Sequence, residues 1–212
     1  MSVPSQLHVL RDRLRNGDVP GIEAHRRLAP DNRDAESIAV LPDEMRHAAV
    51  LLVLFDAQDP SVLLIRRPDD GSVHSGELAF PGGRYEAGER FPEGTALREA
   101  REEIALDPDR VLVLGTLTPL VIPVSRFRIV PVVVWADSVD YVTPDDREVA
   151  EIVPVSLQTL RNAPARRLFR TPVGDISAPC WAVSDVRPDL PPLWGASAMV
   201  AAELIDACGE SC

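Results

Sequence analysis

Four runs of β-branched and other apolar residues, each bounded by Pro, Asp or Gly, predict β-strands. They span residues 48–56, 61–67, 111–122 and 128–136. Several of these runs are apolar at successive positions and lack the alternation expected of a sheet that has one face in water. The pattern therefore predicts a mixed sheet that is covered on both faces, and helices must supply the covers.

Three other segments show the apolar spacing of helices. Residues 5–16 predict a short amphipathic helix. Residues 93–106 predict an internal helix, with Pro92 suited to its first turn. Residues 195–208 predict a C-terminal helix, and its apolar residues on more than one side indicate that it is at least partly buried.

The order of these segments predicts the domain organisation. At 212 residues the chain is long enough to bury one sizeable core, and the usual domain size favours a single domain. We predict an α/β fold, a three-layer α/β/α sandwich with a mixed sheet between helices, formed by residues 46–212. Residues 1–45 are predicted to contribute an N-terminal helix followed by an irregular, Pro-containing lead-in from residue 17.

Charge and composition exclude several classes of partner. The 33 acidic and 22 basic residues give a formal net charge of -11, which opposes nonspecific attraction to nucleic acid and to anionic membranes. No apolar run approaches the roughly 18 residues of a membrane helix, and the first residues lack the apolar stretch of a secretory signal, so we expect a cytoplasmic protein. An acidic protein still binds a phosphorylated small molecule where metal ions or arginines override its overall field.

A cluster of carboxylates on the internal helix is the first sign of chemistry. The i, i+3, i+4 spacing of Glu99, Glu102 and Glu103 brings their side chains within reach of one another, although such like-charge neighbours destabilise a helix. A divalent cation would reverse that effect, because Mg²⁺ prefers hard oxygen ligands. The alternative interpretation of this run alone is a solvated charged face, tempered by Arg98 and Arg101.

The segment before this helix favours the metal interpretation. A predicted strand ends at Phe80 and is followed by Gly82 and Gly83, and paired glycines allow the main chain to come close to a ligand. FPGGRYEAGE at 80–89, followed by LREAREEIAL at 97–106, resembles the Nudix box, GxxxxxE, a spacer and then REUxEExGU with U apolar. This resemblance implies the α/β/α sandwich of that family and hydrolysis of a pyrophosphate bond.

The resemblance also implies a role for each matching residue. It implies that Glu99, Glu102 and Glu103 bind Mg²⁺ or Mn²⁺, that the Gly83 carbonyl adds a ligand, and that Arg98 orients the acids. These glutamates and Arg98 are the predicted catalytic residues. Which glutamate acts as the general base stays open.

Several features resemble one Nudix subgroup, the coenzyme A pyrophosphatases. The spacer between Glu89 and Arg98 has eight residues where the common box has seven, as in that subgroup, although Ala105 replaces the late glycine of the box. Coenzyme A or an acyl-CoA is therefore the implied substrate, with phosphopantetheine and adenosine bisphosphate as products. Ser72 stands where the subgroup tends to have an arginine, four residues before Gly76, so ADP-ribose, NADH and nucleoside triphosphates remain alternative substrates. A nucleotide-binding module without catalysis is the alternative function.

Further candidate residues surround the box. The predicted substrate contacts are Arg67, His74, Gly76, Phe80 and Gly82. The alternatives are a solvated strand end for Arg67, a turn hydrogen bond for His74 and core packing for Phe80. Trp194 is a further candidate for the pocket lining, again with core packing as the alternative. Glu148 is a predicted metal ligand or base, and a surface salt bridge is the alternative role for Glu148 and Glu151. A homodimer is an expectation from family analogy alone.

Overall fold

The fold is described by a computed structural model for residues 3–31, 45–56, 59–72, 74–123, 125–171, 174–183 and 186–209. The strands of these ranges are β1 (Arg46–Phe55), β2 (Ser61–Arg66), β3 (Leu78–Ala79), β4 (Gly82–Arg84), β5 (Val111–Thr116), β6 (Leu120–Ile122), β7 (Phe127–Ala136), β8 (Glu151–Ser156), β9 (Ala165–Thr171), β10 (Gly174–Trp181) and β11 (Leu193–Trp194). The α-helices are α1 (His8–Asn16), α2 (Ile22–Arg27), α3 (Glu93–Ile104), α4 (Leu157–Arg161) and α5 (Gly195–Cys208). Short 3₁₀ turns lie at Ser5–Leu7 and Pro108–Arg110.

The central sheet is mixed, as the apolar runs predict. Its order is β3-β2-β1-β7-β5, with β4 paired to β1, β6 to β7 and β8 to β2. Strands β1 and β7 run parallel over their whole length, and the other pairs are antiparallel. Strands β9, β10 and β11 form a second, antiparallel sheet in the order β11-β10-β9.

Both faces of the central sheet are buried. On β1, Leu51 and Val53 belong to the core that α3 covers, whereas Leu52 and Leu54 belong to the core that α1 and α5 cover. Successive side chains of a strand point to opposite faces, so a strand buried on both sides must be apolar throughout. The predicted α/β/α sandwich is confirmed.

The helix predictions also hold, with small shifts at the ends. The predicted helix 5–16 is a 3₁₀ turn that continues into α1, and the predicted helix 195–208 coincides with α5. Helix α3 begins at Glu93 as predicted but ends two residues early, because Ala105 adopts a left-handed conformation with φ 53°.

Two predictions about secondary structure were wrong. Residues 111–122 do not form one strand but the two strands β5 and β6. The pairing of β5 with β7 shifts register between Val113 and Gly115, and Pro119, in the gap, has no N–H for a ladder hydrogen bond. The lead-in from 17 is not irregular throughout, because α2 lies within it; residues 32–44 lie outside the described part of the chain.

The N-terminal segment packs on the central sheet. Leu7, Leu10 and Leu14 are buried in the same core as strand residues of β1 and β7 and as helix α5. The helices of residues 3–31 therefore form part of the outer layer of the sandwich, while the domain boundary at residue 46 stays a prediction. None of the helices in the described ranges is long and apolar enough to cross a membrane.

Candidate active site

Strand β4 brings two glycines against the acidic helix. Gly82 pairs with Val50 of β1, and a Cβ at residue 82 would lie 2.4 Å from the Ala49 carbonyl oxygen, so this approach requires glycine. At Gly83 a Cβ would lie 2.3 Å from Oε1 of Glu99. The main chain of β4 thus lies directly against a carboxylate of α3, so groups of the strand and of the helix meet at one place.

Glu103 is the buried acid of the cluster. It is only 4% exposed, and its Oε2 accepts a 2.8 Å hydrogen bond from the N–H of Gly82. Burial raises the pKa of Glu103 to about 7, the Gly82 hydrogen bond opposes that rise, and the charges of Glu99 and Glu148 add to it. Burial also raises the pKa of Glu99. Negative charge is therefore crowded at this end of the helix.

Arg98 connects the other acids. Its guanidinium donates hydrogen bonds to Oε1 of Glu99 at 2.8 Å, to Oε2 of Glu102 at 2.7 Å, to Glu89, and to the carbonyl oxygen of Arg84 at 2.9 Å. Burial lowers the pKa of Arg98, but the three carboxylates raise it to a higher value than usual. One planar guanidinium therefore fixes the orientation of three acids and of strand β4.

Glu89 anchors the loop between β4 and α3. Its Oε2 accepts hydrogen bonds from the N–H of Glu86 at 3.0 Å and from Oγ1 of Thr95 at 2.6 Å. Burial alone would raise the pKa of Glu89, but these hydrogen bonds and Arg98 lower it to about 2. Glu89 therefore stays ionised and holds Arg98 in place, which gives the loop acid of the box a positioning role.

The oxygen donors suit a hard divalent cation, although they do not surround a common point. Within the described ranges, no group of three or more His, Cys, Asp or Glu side chains is arranged to hold a metal ion. Glu99 and Glu102 are bonded to Arg98, and Glu103 is bonded to Gly82. Carboxylate and carbonyl oxygens are nevertheless the ligands that Mg²⁺ and Mn²⁺ prefer, and a cation would relieve the crowded charge. The donor set therefore fits such an ion if the acids turn away from these partners.

A cleft of about 250 Å³ adjoins this cluster. Four of the predicted substrate contacts, Arg67, His74, Phe80 and Gly82, line it. Much of its wall is apolar and comes from several strands and from α5, including Val50, Leu78, Leu120, Ile122, Ile129 and Trp194. Because Gly82 lines the cleft and also binds Glu103, the cleft and the acids share one strand.

The predicted substrate contacts differ in their surroundings. Arg67 is half-buried, and its buried Nε has no hydrogen-bond partner among the described residues, so it is not a fully solvated strand end. His74 does form the turn hydrogen bond that was its alternative role, with Nδ1 2.9 Å from Oε2 of Glu77, and that bond raises its pKa. Gly76 does not line the cleft; its φ of +70° and its closeness to Asp69 give it a role in the loop turn.

The two acids before β8 have separate roles. Glu151 forms a two-bond ion pair with Arg187, at 2.5 and 2.7 Å, which is the surface salt bridge considered as its alternative. Glu148 is exposed, and its charge contributes to the raised pKa of Glu99 and of Glu103. Of the two, Glu148 is thus the acid whose charge acts on the cluster, and its role as a ligand or base stays a prediction.

Of the far wall of the cleft, the sequence indicates Trp194 as a candidate lining residue, with core packing as the alternative, but sequence reasoning missed the residues of β6 and β7. Ile122 and Ile129 line it from β6 and β7, and the ring of Trp194 stacks on Phe169 of β9 at a centroid distance of 4.1 Å. Apolar residues of this kind look like core residues in a sequence. Only the pairing of β6 with β7 brings these two isoleucines together at the site.

Comparisons with known proteins identify a family for the chain. The family model of the NUDIX domain matches residues 45–172. The chain is 42% identical over 114 residues to an uncharacterized Nudix hydrolase, NudL, of Pectobacterium atrosepticum, a match that covers 54% of this chain and 59% of that protein. It is 35% identical over 136 residues to the chloroplastic Nudix hydrolase 22 of Arabidopsis thaliana, with 62% of this chain and 45% of that protein covered. The match therefore spans about half the length of these relatives.

Among solved structures, the chain matches the crystal structure of a Nudix hydrolase from M. smegmatis, RenU. The sequence identity is 25%, the match covers 62% of this chain and 80% of that chain, and the TM-score is 0.47. A TM-score below 0.5 adds nothing to the family assignment, which depends on the family model.

Proposed function

Because this chain belongs to the Nudix family, we propose that it hydrolyses the pyrophosphate bond of a nucleoside diphosphate derivative with the help of Mg²⁺ or Mn²⁺. The observation that carries the proposal is the 2.8 Å hydrogen bond from Gly82 to Glu103. It joins the acids of α3 to a strand that lines an open cleft. A diphosphate in that cleft would therefore lie beside the acids.

The roles of the side chains follow from their surroundings. Glu99, Glu102, Glu103 and Glu148, with the carbonyl of Gly83, would hold the cation. The cation would neutralise phosphate charge and lower the pKa of the attacking water. Glu102 and Glu148 are the solvent-exposed acids of this set, so either is placed to accept a proton from water.

The lining of the cleft supports coenzyme A or an acyl-CoA as the substrate. Its wall is largely apolar, which suits an extended uncharged arm better than a second charged nucleotide. Arg67 lines the same cleft, and its charge is close enough to lower the pKa of Glu103, so it is placed to meet the diphosphate. The products would be phosphopantetheine and adenosine bisphosphate.

One residue favours another substrate for the same reaction. Ser72, where the related subgroup tends to have arginine, is exposed, and its N–H donates to Oδ1 of Asp70. It offers no positive charge to an anionic group. ADP-ribose, NADH and nucleoside triphosphates are therefore the second candidates.

The test is hydrolysis of coenzyme A, ADP-ribose, NADH and nucleoside triphosphates with Mg²⁺ or Mn²⁺, with the products resolved by chromatography. Glu102→Gln should lower the rate by on the order of 100-fold or more. Glu93→Gln is the matched control, because Glu93 lies in the same helix but pairs with Arg90. If another diphosphate is hydrolysed faster than coenzyme A, the proposed site stands and the proposed substrate is wrong. Tight nucleotide binding without turnover would indicate a binding module.

A further inference from the structure

Two arginines share one aromatic ring at the edge of the sheet. The guanidinium carbon of Arg46 lies 4.2 Å from the centroid of the Phe127 ring, and that of Arg84 lies 5.5 Å from it. Both distances are within the range of a cation–π attraction. The ring therefore holds two exposed positive charges near each other, in a chain whose net charge is -11.

This group of Arg46, Arg84 and Phe127, the arginine rim, is continuous with the cleft. Phe127 pairs with Ile122 and lies two residues before Ile129 on β7, and both isoleucines line the cleft. Arg84 lies two residues after Gly82, which also lines the cleft. Since strand side chains alternate between faces, residues two apart share a face. The rim therefore lies on the cleft side of the sheet.

The rim has hydrogen-bonding capacity that the described residues do not use. Nη2 of Arg46 donates to the carbonyl oxygen of Ser125 at 2.5 Å. Neither Arg46 nor Arg84 forms an ion pair with a carboxylate in the ranges that the structure describes. Stacking on a ring uses the face of a guanidinium and leaves its in-plane N–H groups for a phosphate. Two arginines match the charge of a phosphomonoester, about −1.5 to −2 at pH 7.

The arginine rim is separate from the place where the diphosphate of the proposed reaction would lie. The acids of α3 contact Gly82 and Gly83, and Arg67 in the cleft is close enough to influence Glu103. The rim begins one residue further along β4. Within the described part of the chain, the main-chain oxygen of Arg84 is bonded to Arg98 of the acid network. The side chain of Arg84 points instead to Phe127.

We propose that Arg46, Arg84 and Phe127 form a subsite for a phosphomonoester on the nucleoside of the substrate, separate from the diphosphate that is cleaved. This inference rests on the proposed function and narrows its substrate class. Coenzyme A and NADPH carry such a phosphate on the ribose, whereas ADP-ribose and NADH do not. The subsite therefore separates substrates that share the same diphosphate linkage.

The test compares matched pairs of substrates, coenzyme A with 3′-dephospho-coenzyme A and NADPH with NADH. The wild type should favour the phosphorylated member of at least one pair by about 10-fold or more in kcat/KM. In the double variant R46Q/R84Q that ratio should fall towards one. Arg15→Gln, which removes an exposed charge from α1, is the control and should leave the ratio unchanged. The pair that shows the preference identifies the source of the phosphate.

Two results would overturn the subsite. If the double variant loses activity equally on both members of a pair, so that the ratio is kept, the arginines contact the cleaved diphosphate. If it hydrolyses both members of the pair as fast as the wild type does, the arginines contact no phosphate. If the wild type hydrolyses none of these compounds, the proposed function fails. The subsite is then tested by calorimetry, which measures the binding of adenosine 3′,5′-bisphosphate and of AMP to the wild type and to R46Q/R84Q. If R46Q/R84Q loses affinity equally for the two nucleotides, or loses none, the calorimetry overturns the subsite.

Discussion

The carboxylate of Glu99 lies so close to Gly83 that a Cβ at residue 83 would come within 2.3 Å of Oε1 and 2.4 Å of the carboxyl carbon. We expect Gly83→Ala to push this carboxylate from its position and to lower kcat by on the order of 100-fold, because small displacements of catalytic groups are costly. Hydrolysis of the best substrate with Mg²⁺ measures this loss.

Gly94→Ala is the control for that substitution. Gly94 lies in α3, and the nearest neighbour of a Cβ there would be Cβ of Arg90 at 3.4 Å, an ordinary contact. Alanine favours a helix over glycine by up to about 1 kcal/mol, so this variant should keep its activity and unfold at a slightly higher urea concentration. Full activity in Gly83→Ala would show that the contact with Glu99 does not matter to catalysis.

Arg98 should not be replaceable by lysine. The guanidinium of Arg98 bonds Glu89, Glu99 and Glu102 at once, and an ammonium group cannot present donors in that planar arrangement. We expect Arg98→Lys to lower kcat by about 10- to 100-fold while the protein still folds. Arg101→Lys, on an exposed position of the same helix, should have little effect; equal losses in the two variants would contradict the positioning role of Arg98.

Glu103 should make stability depend on pH when a chelator removes divalent cations. Its pKa rises from an ordinary 4.5 to about 7 in the folded protein, so the folded state holds the proton more tightly than the unfolded state. The resulting stability is present below pH 4.5 and is lost as the pH rises to about 7. The shift corresponds to about 3 kcal/mol.

Urea unfolding at pH 5 and pH 8 measures this effect. Glu103→Gln has no ionisable group at this position. From pH 5 to pH 8 the free energy of unfolding of the wild type should therefore fall relative to that of Glu103→Gln, by about 2 to 3 kcal/mol. A difference between the two proteins that does not change with pH would show that Glu103 ionises normally in the fold.

Much of the fold could be predicted because local patterns match local structure. The apolar runs in β1 and β7 identify strands buried on both faces, and the spacing in α5 gives a helix whose ends match its sequence bounds. The hairpin of β9 and β10 gives no such signal, because most of β9 is exposed and three of its seven residues are arginines. Its residues therefore look like a loop in the sequence.

The candidate site likewise has one part that the sequence indicates and another that it does not. The glycines, Arg98 and the glutamates of the box lie within 22 residues of one another and have a recognisable spacing, so the sequence indicates the acid cluster. The cleft wall and the arginine rim combine strands that are distant in sequence, such as β4 and β7. No local pattern distinguishes Phe127 from a core residue, and strand pairing alone reveals its position.

The buried hydrogen bonds of Glu203 join distant segments and should contribute strongly to stability. The carboxylate of Glu203 on α5, which has no solvent exposure, accepts hydrogen bonds from Nε2 of His25 at 2.8 Å and from the N–H groups of Gly21 and Thr118, both at 3.1 Å. Glu203→Ala would leave these groups unsatisfied, so the free energy of unfolding should fall by about 3 to 5 kcal/mol. Glu23→Ala removes an exposed carboxylate and should cost less than about 1 kcal/mol. Similar urea midpoints for the two variants would show that the buried contact does not hold the N-terminal helices to α5.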